Sequence, residues 1–195
     1  MKVIGLTGGI ASGKSTASAY LRELGAAIVD ADAISRASTR RGGAAFEAVC
    51  AAFGNILGAD GEIDRRKLGG IVFADEDARC KLNSIVHPAV MAESRAQIEN
   101  ARASGVKMCI LDVPLLFETG MEKLCDETWL IYVPREEQIR RMAERDGLDA
   151  AAAAARIDSQ MPLEEKLKRA DVAIDSSGTI EQTREKLRRL WEERT

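Results

Sequence analysis

Short apolar runs alternate along this chain with longer helical patterns. The runs Lys2–Thr7, Ala26–Asp30, Val106–Val113, Thr128–Val133 and Asp171–Asp175 are bounded by Gly, Pro or charged residues. Their hydrophobicity is mostly continuous, as expected of parallel strands buried on both faces. Between them, Lys14–Leu24, a long region from about Ala44 to Ala103, Glu136–Arg145 and Thr179–Glu193 predict helices. Alternating β and α elements predict an α/β fold, a five-stranded parallel sheet flanked by helices. Ligands of such sheets bind beyond the carboxyl ends of the strands. The residues that follow each strand are therefore where chemistry is expected.

Two regions are too long for simple crossovers. The segment of about 31–103 places several helices between the second and third strands, and a second segment covers about 146–169. The latter contains six consecutive alanines, Ala150–Ala155. Alanine is the best helix former, so a helix is expected there rather than a linker. The expected organisation is a single domain with a core of about 1–30, 104–145 and 170–195, and these two segments as mobile pieces around a site.

The stretch "GLTGGIASGKSTASAYL" directly after the first strand carries the strongest chemical signal. Gly8, Gly13, Lys14 and Ser15 satisfy G-x-x-x-x-G-K-[ST] with nothing missing. Such a loop offers main-chain N–H donors to phosphates at a helix N-terminus, where the helix dipole favours negative charge. Gly8, Gly9, Ile10, Ala11, Ser12, Gly13, Lys14, Ser15 and Thr16 form the expected nucleotide-binding set. Lys14 would reach the outer phosphates, and the Ser15 hydroxyl would ligate Mg²⁺.

After the second strand, "VDADAISR" sets Asp30 and Asp32 two apart, which in extended geometry puts both on one side. One could accept a proton from an attacking hydroxyl or hold Mg²⁺ through water; the other use of such an Asp is to cap the following helix. Asp32 is the stronger candidate for the base. Arg36, one turn later, would pair with a phosphate or with Asp32. The third strand ends in "CILDVPLLFE", a Walker-B-like run whose Asp112 would hold the Mg²⁺ shell. Pro114 turns the chain out of that strand, and Leu115, Leu116 and Phe117 are expected to be packing residues.

In "EEQIRRMAERDG", Arg141 and Arg145 share one helix face. With Arg156, Lys166 and Arg169 they give the later segment a cluster of cations. Arginines on a closing lid could stabilise charge on a transferring phosphoryl group; Arg145 and Arg156 are the lid candidates beside Arg141. His87, the only histidine, precedes Pro88, which is expected to break or kink its helix. It reads as a structural or substrate-contacting residue, not as a general base or metal ligand.

Composition narrows the class further. Of 195 residues, 46% are hydrophobic and 30% charged, and the net charge is −3. That balance is ordinary for a folded globular domain and supplies no basic footprint for nucleic acid. The longest uncharged run, Ala48 to Ala59, falls short of the about twenty residues of a membrane span. Cys50, Cys80, Cys109 and Cys125 are widely separated and read as reduced, mostly buried thiols of a cytoplasmic protein.

Taken together, "GLTGGIASGKST", "VDADAISR", "HP", "DVPLLFE", "RRMAERDG" and "ADVAIDSSG" resemble the dephospho-coenzyme A kinases in order and spacing, over nearly the whole chain. The resemblance implies a small P-loop kinase fold in which segment 31–103 binds the acceptor and segment 146–169 is the lid. It also implies transfer of the ATP γ-phosphoryl group to the ribose 3′-hydroxyl of dephospho-CoA. Asp32 would be the general base, Ala11 to Thr16 the ATP loop, Arg141 a lid residue, and "IDSSG" a neighbour of adenine. From the residues themselves, Arg36 and His87 are added as candidate acceptor contacts. ATP with Mg²⁺ and dephospho-CoA are the expected small-molecule ligands, with no nucleic-acid or membrane partner and a monomeric chain. Two positions depart from the family: Gly is common where Ala11 stands, and Asn is usual where Ser176 stands.

Another small-molecule or nucleoside monophosphate kinase would share the loop but not the later motifs. A regulatory GTPase would need N-K-x-D for guanine. This chain lacks it, and its D-x-x-G match at Asp175 follows the last strand instead of the third.

Overall fold

A computed structural model describes residues 1–195. The five strands are β1 (Lys2–Gly8), β2 (Ala27–Asp30), β3 (Met108–Asp112), β4 (Glu127–Tyr132) and β5 (Val172–Asp175). They form one sheet in the order β2-β3-β1-β4-β5. β1 pairs in parallel with β3 and β4, and β4 with β5. The expected parallel α/β architecture is therefore present, with strand ends shifted by one or two residues.

The helices are α1 (Lys14–Glu23), α2 (Ala31–Ser38), α3 (Phe46–Phe53), α4 (Arg65–Ala74), α5 (Glu76–Ala103), α6 (Arg135–Asp146), α7 (Ala150–Asp158), α8 (Leu163–Arg169) and α9 (Ile180–Glu192). Two compact units result, one of Met1–Val29 with Ile98–Thr195 and one of Asp30–Gln97.

In the first unit, alternate strand residues face opposite sides of the sheet. Ile4, Leu6, Met108, Ile110, Trp129 and Ile131 form one buried cluster with Leu21 of α1 and Leu187 of α9. The intervening Cys109, Leu111 and Leu130 are equally buried, which is why the strands read as unbroken apolar runs. Gly5 lies between them because a Cβ there would meet Cys125 Sγ and Leu116 Cδ2, each at 2.8 Å.

The second unit is helical, apart from an isolated antiparallel bridge between Leu57 and Ile63. Its buried residues include Ile34, Phe46, Val49, Ile56, Leu68 and Val86. Three expectations are corrected, and of the break or kink expected at Pro88 the break does not occur. α5 runs through Pro88 without a break, so His87 is a half-buried residue inside a 28-residue helix. A proline costs a helix one backbone bond and a clash one turn back, and the length on either side here outweighs that. Asp30 and Asp32 do not share a strand: β2 ends at Asp30 and α2 begins at Ala31. Leu115 is exposed, whereas Leu116 and Phe117 are buried as expected. Only Cys109 is fully buried; Cys80 is exposed, and Cys50 and Cys125 are intermediate. The alanine run is helical as expected, and Asp149 caps it by accepting from the Ala152 N–H at 2.7 Å.

Candidate active site

The first strand runs straight into the glycine loop. At Gly8 a Cβ would lie 2.6 Å from Ser12 Oγ and 2.7 Å from Ile131 O, so no side chain fits. The chain then turns with a Ser12 N–H bond to Gly9 O at 3.2 Å. Gly13 takes φ 86°, a left-handed conformation that suits glycine, and α1 begins at Lys14. No side chain caps α1 and its first turn holds no acid, so its N-terminal donors face outward uncompensated. Ser15 and Thr16 are exposed in that turn.

Lys14 Nζ forms an ion pair with Asp112 Oδ1 at the end of β3. Both side chains are largely buried, so each charge answers the desolvation of the other. The two groups expected to serve the outer phosphates and the metal thus meet in one place. Arg141, on α6, donates from Nη1 to Ala11 O at 3.3 Å and from Nη2 to Ser176 O at 2.8 Å. Its Nε donates to Glu137 Oε1 at 2.7 Å. Hydrogen bonds from Arg140 and then Arg141 hold the Glu137 carboxyl down at about 2.

Gln138 escapes sequence reasoning in this neighbourhood, and Ser176, noted in the sequence as a departure beside adenine, makes a contact that was not expected of it. Gln138 Nε2 donates to Ile10 O at 2.8 Å, and Ser176 Oγ donates to Ser12 O at 2.6 Å. The i, i+3 spacing of Gln138 and Arg141 was the one available signal that both face the same way. Beside Gly9 lies a cavity of about 580 Å³ whose lining includes Tyr132, Gln138, Ile157, Met161 and Lys166.

The other cations expected on a lid divide. Arg145 pairs with Asp146 at 2.8 Å, and Arg156 approaches the same carboxylate at 4.0 Å, all on the surface. Lys166 does not belong to an outward-facing cluster. Its side chain is 1% exposed, pairs with Glu118 at 2.9 Å and donates to Pro114 O at 3.2 Å.

Asp32, Arg36 and His87 belong to the second unit. Asp30 is the N-cap of α2 and accepts from the Ala33 N–H at 2.8 Å, the capping use of that residue. Asp32 is exposed in the first turn of α2. Arg36, further along the helix, lines a cavity of about 570 Å³ with Arg40, Arg65 and Glu62.

A parallel sheet of this strand order, with the loop running from β1 into an uncapped helix and its lysine beside the β3 aspartate, defines a P-loop kinase. The family model of dephospho-CoA kinase, CoaE, matches residues 2–182, and the chain belongs to that family. A dephospho-CoA kinase of Carboxydothermus hydrogenoformans is 54% identical over 188 residues, covering 96% of this chain and 91% of that protein. The structure of TT1252 from Thermus thermophilus matches with a TM-score of 0.84 and 35% identity, over 100% of this chain and 98% of that one. A dephospho-CoA kinase from Campylobacter jejuni matches with a TM-score of 0.75 and 31% identity, over 98% and 96% of the two chains.

Proposed function

We propose that this chain transfers the γ-phosphoryl group of ATP to the ribose 3′-hydroxyl of 3′-dephospho-CoA, giving CoA and ADP in the final step of coenzyme A synthesis. The observation that carries this reading is the match to the dephospho-CoA kinase family over residues 2–182, with the phosphate-binding loop intact inside it.

Residues Gly8 to Thr16 bind the ATP phosphates through main-chain N–H groups and the α1 dipole. Lys14 leaves Asp112 for the outer phosphates, and Arg141 neutralises charge that builds on the transferring group. Mg²⁺ fits the donors present. No group of three or more His, Cys, Asp or Glu could hold a metal unaided. Mg²⁺ characteristically takes one or two protein oxygens, several waters and the substrate phosphates. Ser15 and Asp112 are such oxygens, and the ion would screen phosphate charge. Asp32 accepts the proton of the attacking 3′-hydroxyl. Arg36 and His87 contact the acceptor in segment 31–103, where the arginines around the Arg36 cavity suit an anionic ligand. Segment 146–169 acts as the lid, with Arg145 and Arg156 on it, and its closure keeps water from the γ-phosphate.

No helix is long and apolar enough to cross a membrane. Four free cysteines fit a reducing cytoplasm. We read the enzyme as a monomer acting on these two small molecules, without a nucleic-acid or membrane partner.

ATP consumption with Mg²⁺ is measured with dephospho-CoA, AMP, CMP or no acceptor. Rapid turnover with dephospho-CoA alone is expected; turnover with a nucleoside monophosphate instead would overturn the substrate. Asp32→Asn is expected to lower kcat about 10²–10⁴-fold while ADP binding persists. Near-normal kcat in that variant would remove Asp32 as the base.

A further inference from the structure

Three consecutive carbonyls of the phosphate-binding loop are held from outside the loop. Ile10 O accepts from Gln138 at 2.8 Å, Ala11 O from Arg141 at 3.3 Å, and Ser12 O from Ser176 at 2.6 Å. Two of the donors lie on α6, and the third follows β5. We propose that Gln138 and Ser176 are positioning residues for the nucleotide: by fixing the Ile10 and Ser12 carbonyls outward they aim the Ala11 and Gly13 N–H groups at the phosphates.

The physical basis is the planar trans peptide, in which C=O and N–H point in opposite directions. A loop that collects N–H donors around an anion must therefore send its carbonyls away from the anion. Carbonyls turned into protein need donors, and here each receives one. The loop also has a reason to drift if released. Ala11 holds φ 59°, a left-handed conformation that costs a non-glycine residue energy and persists where surrounding structure over-determines it.

Both donors are themselves tightly placed. Gln138 is buried, and a Cβ on Gly9 would lie 2.5 Å from its Nε2. A side chain at position 9 would therefore displace the Gln138 amide. Ser176 is buried too, with its N–H bonded to Tyr132 O at 2.9 Å. Its single hydroxyl hydrogen serves the nearer acceptor, Ser12 O at 2.6 Å, over Tyr132 O at 3.0 Å. Because α6 leads into the segment read as the lid, these bonds also tie loop geometry to the root of that segment.

The proposal rests on the nucleotide-binding half of the proposed function and is independent of the acceptor. The test uses the full chain with Gln138→Met, which keeps length but removes the donor, and Ser176→Ala. ADP affinity is measured by calorimetry, and KM is measured separately for ATP and acceptor. Each variant is expected to weaken ADP binding and raise the KM for ATP about tenfold, the scale of one buried hydrogen bond, with acceptor KM unchanged. Ser176→Asn restores an N–H donor at the site and is expected to recover most of the affinity.

Wild-type ADP affinity in folded Ser176→Ala and Gln138→Met would overturn the proposal. So would an equal rise in both KM values, which marks general loosening. Should Gln138→Met not fold, Ser176→Ala decides by the same readouts. Wild-type protein that binds ADP but ignores dephospho-CoA would overturn the substrate reading and leave this test intact.

Discussion

Ala11 shows how a motif can be met in letters while one residue works against its backbone. It is the only non-glycine residue with positive φ, at 59°. The left-handed conformation costs an L-residue about 1–2 kcal/mol, and glycine gives back part of that through its floppier unfolded state. Ala11→Gly is therefore expected to stabilise the protein by about 0.5–1 kcal/mol, or about 1–4 °C in Tm for a chain of this size. A thermal melt showing no gain or a loss would mean that surrounding contacts favour the methyl group. The loop itself was legible from spacing alone, because its chemistry is local and glycine-dependent. Gln138 was not, because its partner Ile10 lies 128 residues away and glutamine carries no signal of what it will face.

At the scale of elements, helices and strands followed from apolar pattern, but their anchoring did not. The seven-residue α8 is too short to hold itself together, and its lysine looked like one more surface cation. In the fold, Lys166 is buried against Glu118 and Pro114 O, and Pro114 O also accepts from Thr7 Oγ1 at 3.0 Å. Lys166→Met leaves the Glu118 carboxylate without its cation. Since Glu118 retains some exposure and a bond from the Met161 N–H at 3.1 Å, the loss should sit at the lower end for a broken buried pair, about 3 kcal/mol. Urea unfolding measures it; a loss below about 0.5 kcal/mol would show that α8 is held by apolar contacts instead. Pro88 gives the opposite lesson: a residue that breaks a helix locally is carried through by the turns on both sides of it.

For the whole molecule, Glu127 joins the first strand, the fourth strand and the chain's end. It pairs with Lys2 at 3.1 Å and Arg194 at 2.8 Å, and accepts from Trp129 Nε1 at 2.9 Å. Burial pushes its carboxyl upward, but the bonds from Arg194, Trp129 and Lys2 prevail and hold it at about 2 against an ordinary 4.5. A carboxyl lowered by folding contributes stability that is complete above pH 4.5 and is lost as pH falls toward 2. Glu127→Gln is expected to be less stable than wild type at neutral pH, with the difference shrinking across that window. Urea unfolding at a series of pH values checks this, and a pH-independent difference would count against the titration.

The sequence by itself determined the alternation of strands and helices, the phosphate-binding loop and the family, because each rests on local spacing or on motif order. Tertiary structure alone decided which carbonyls are tied down and that Lys166 is buried. Those outcomes depend on where distant segments meet, and the energy of a polar side chain is set by the partner and the burial it finds there.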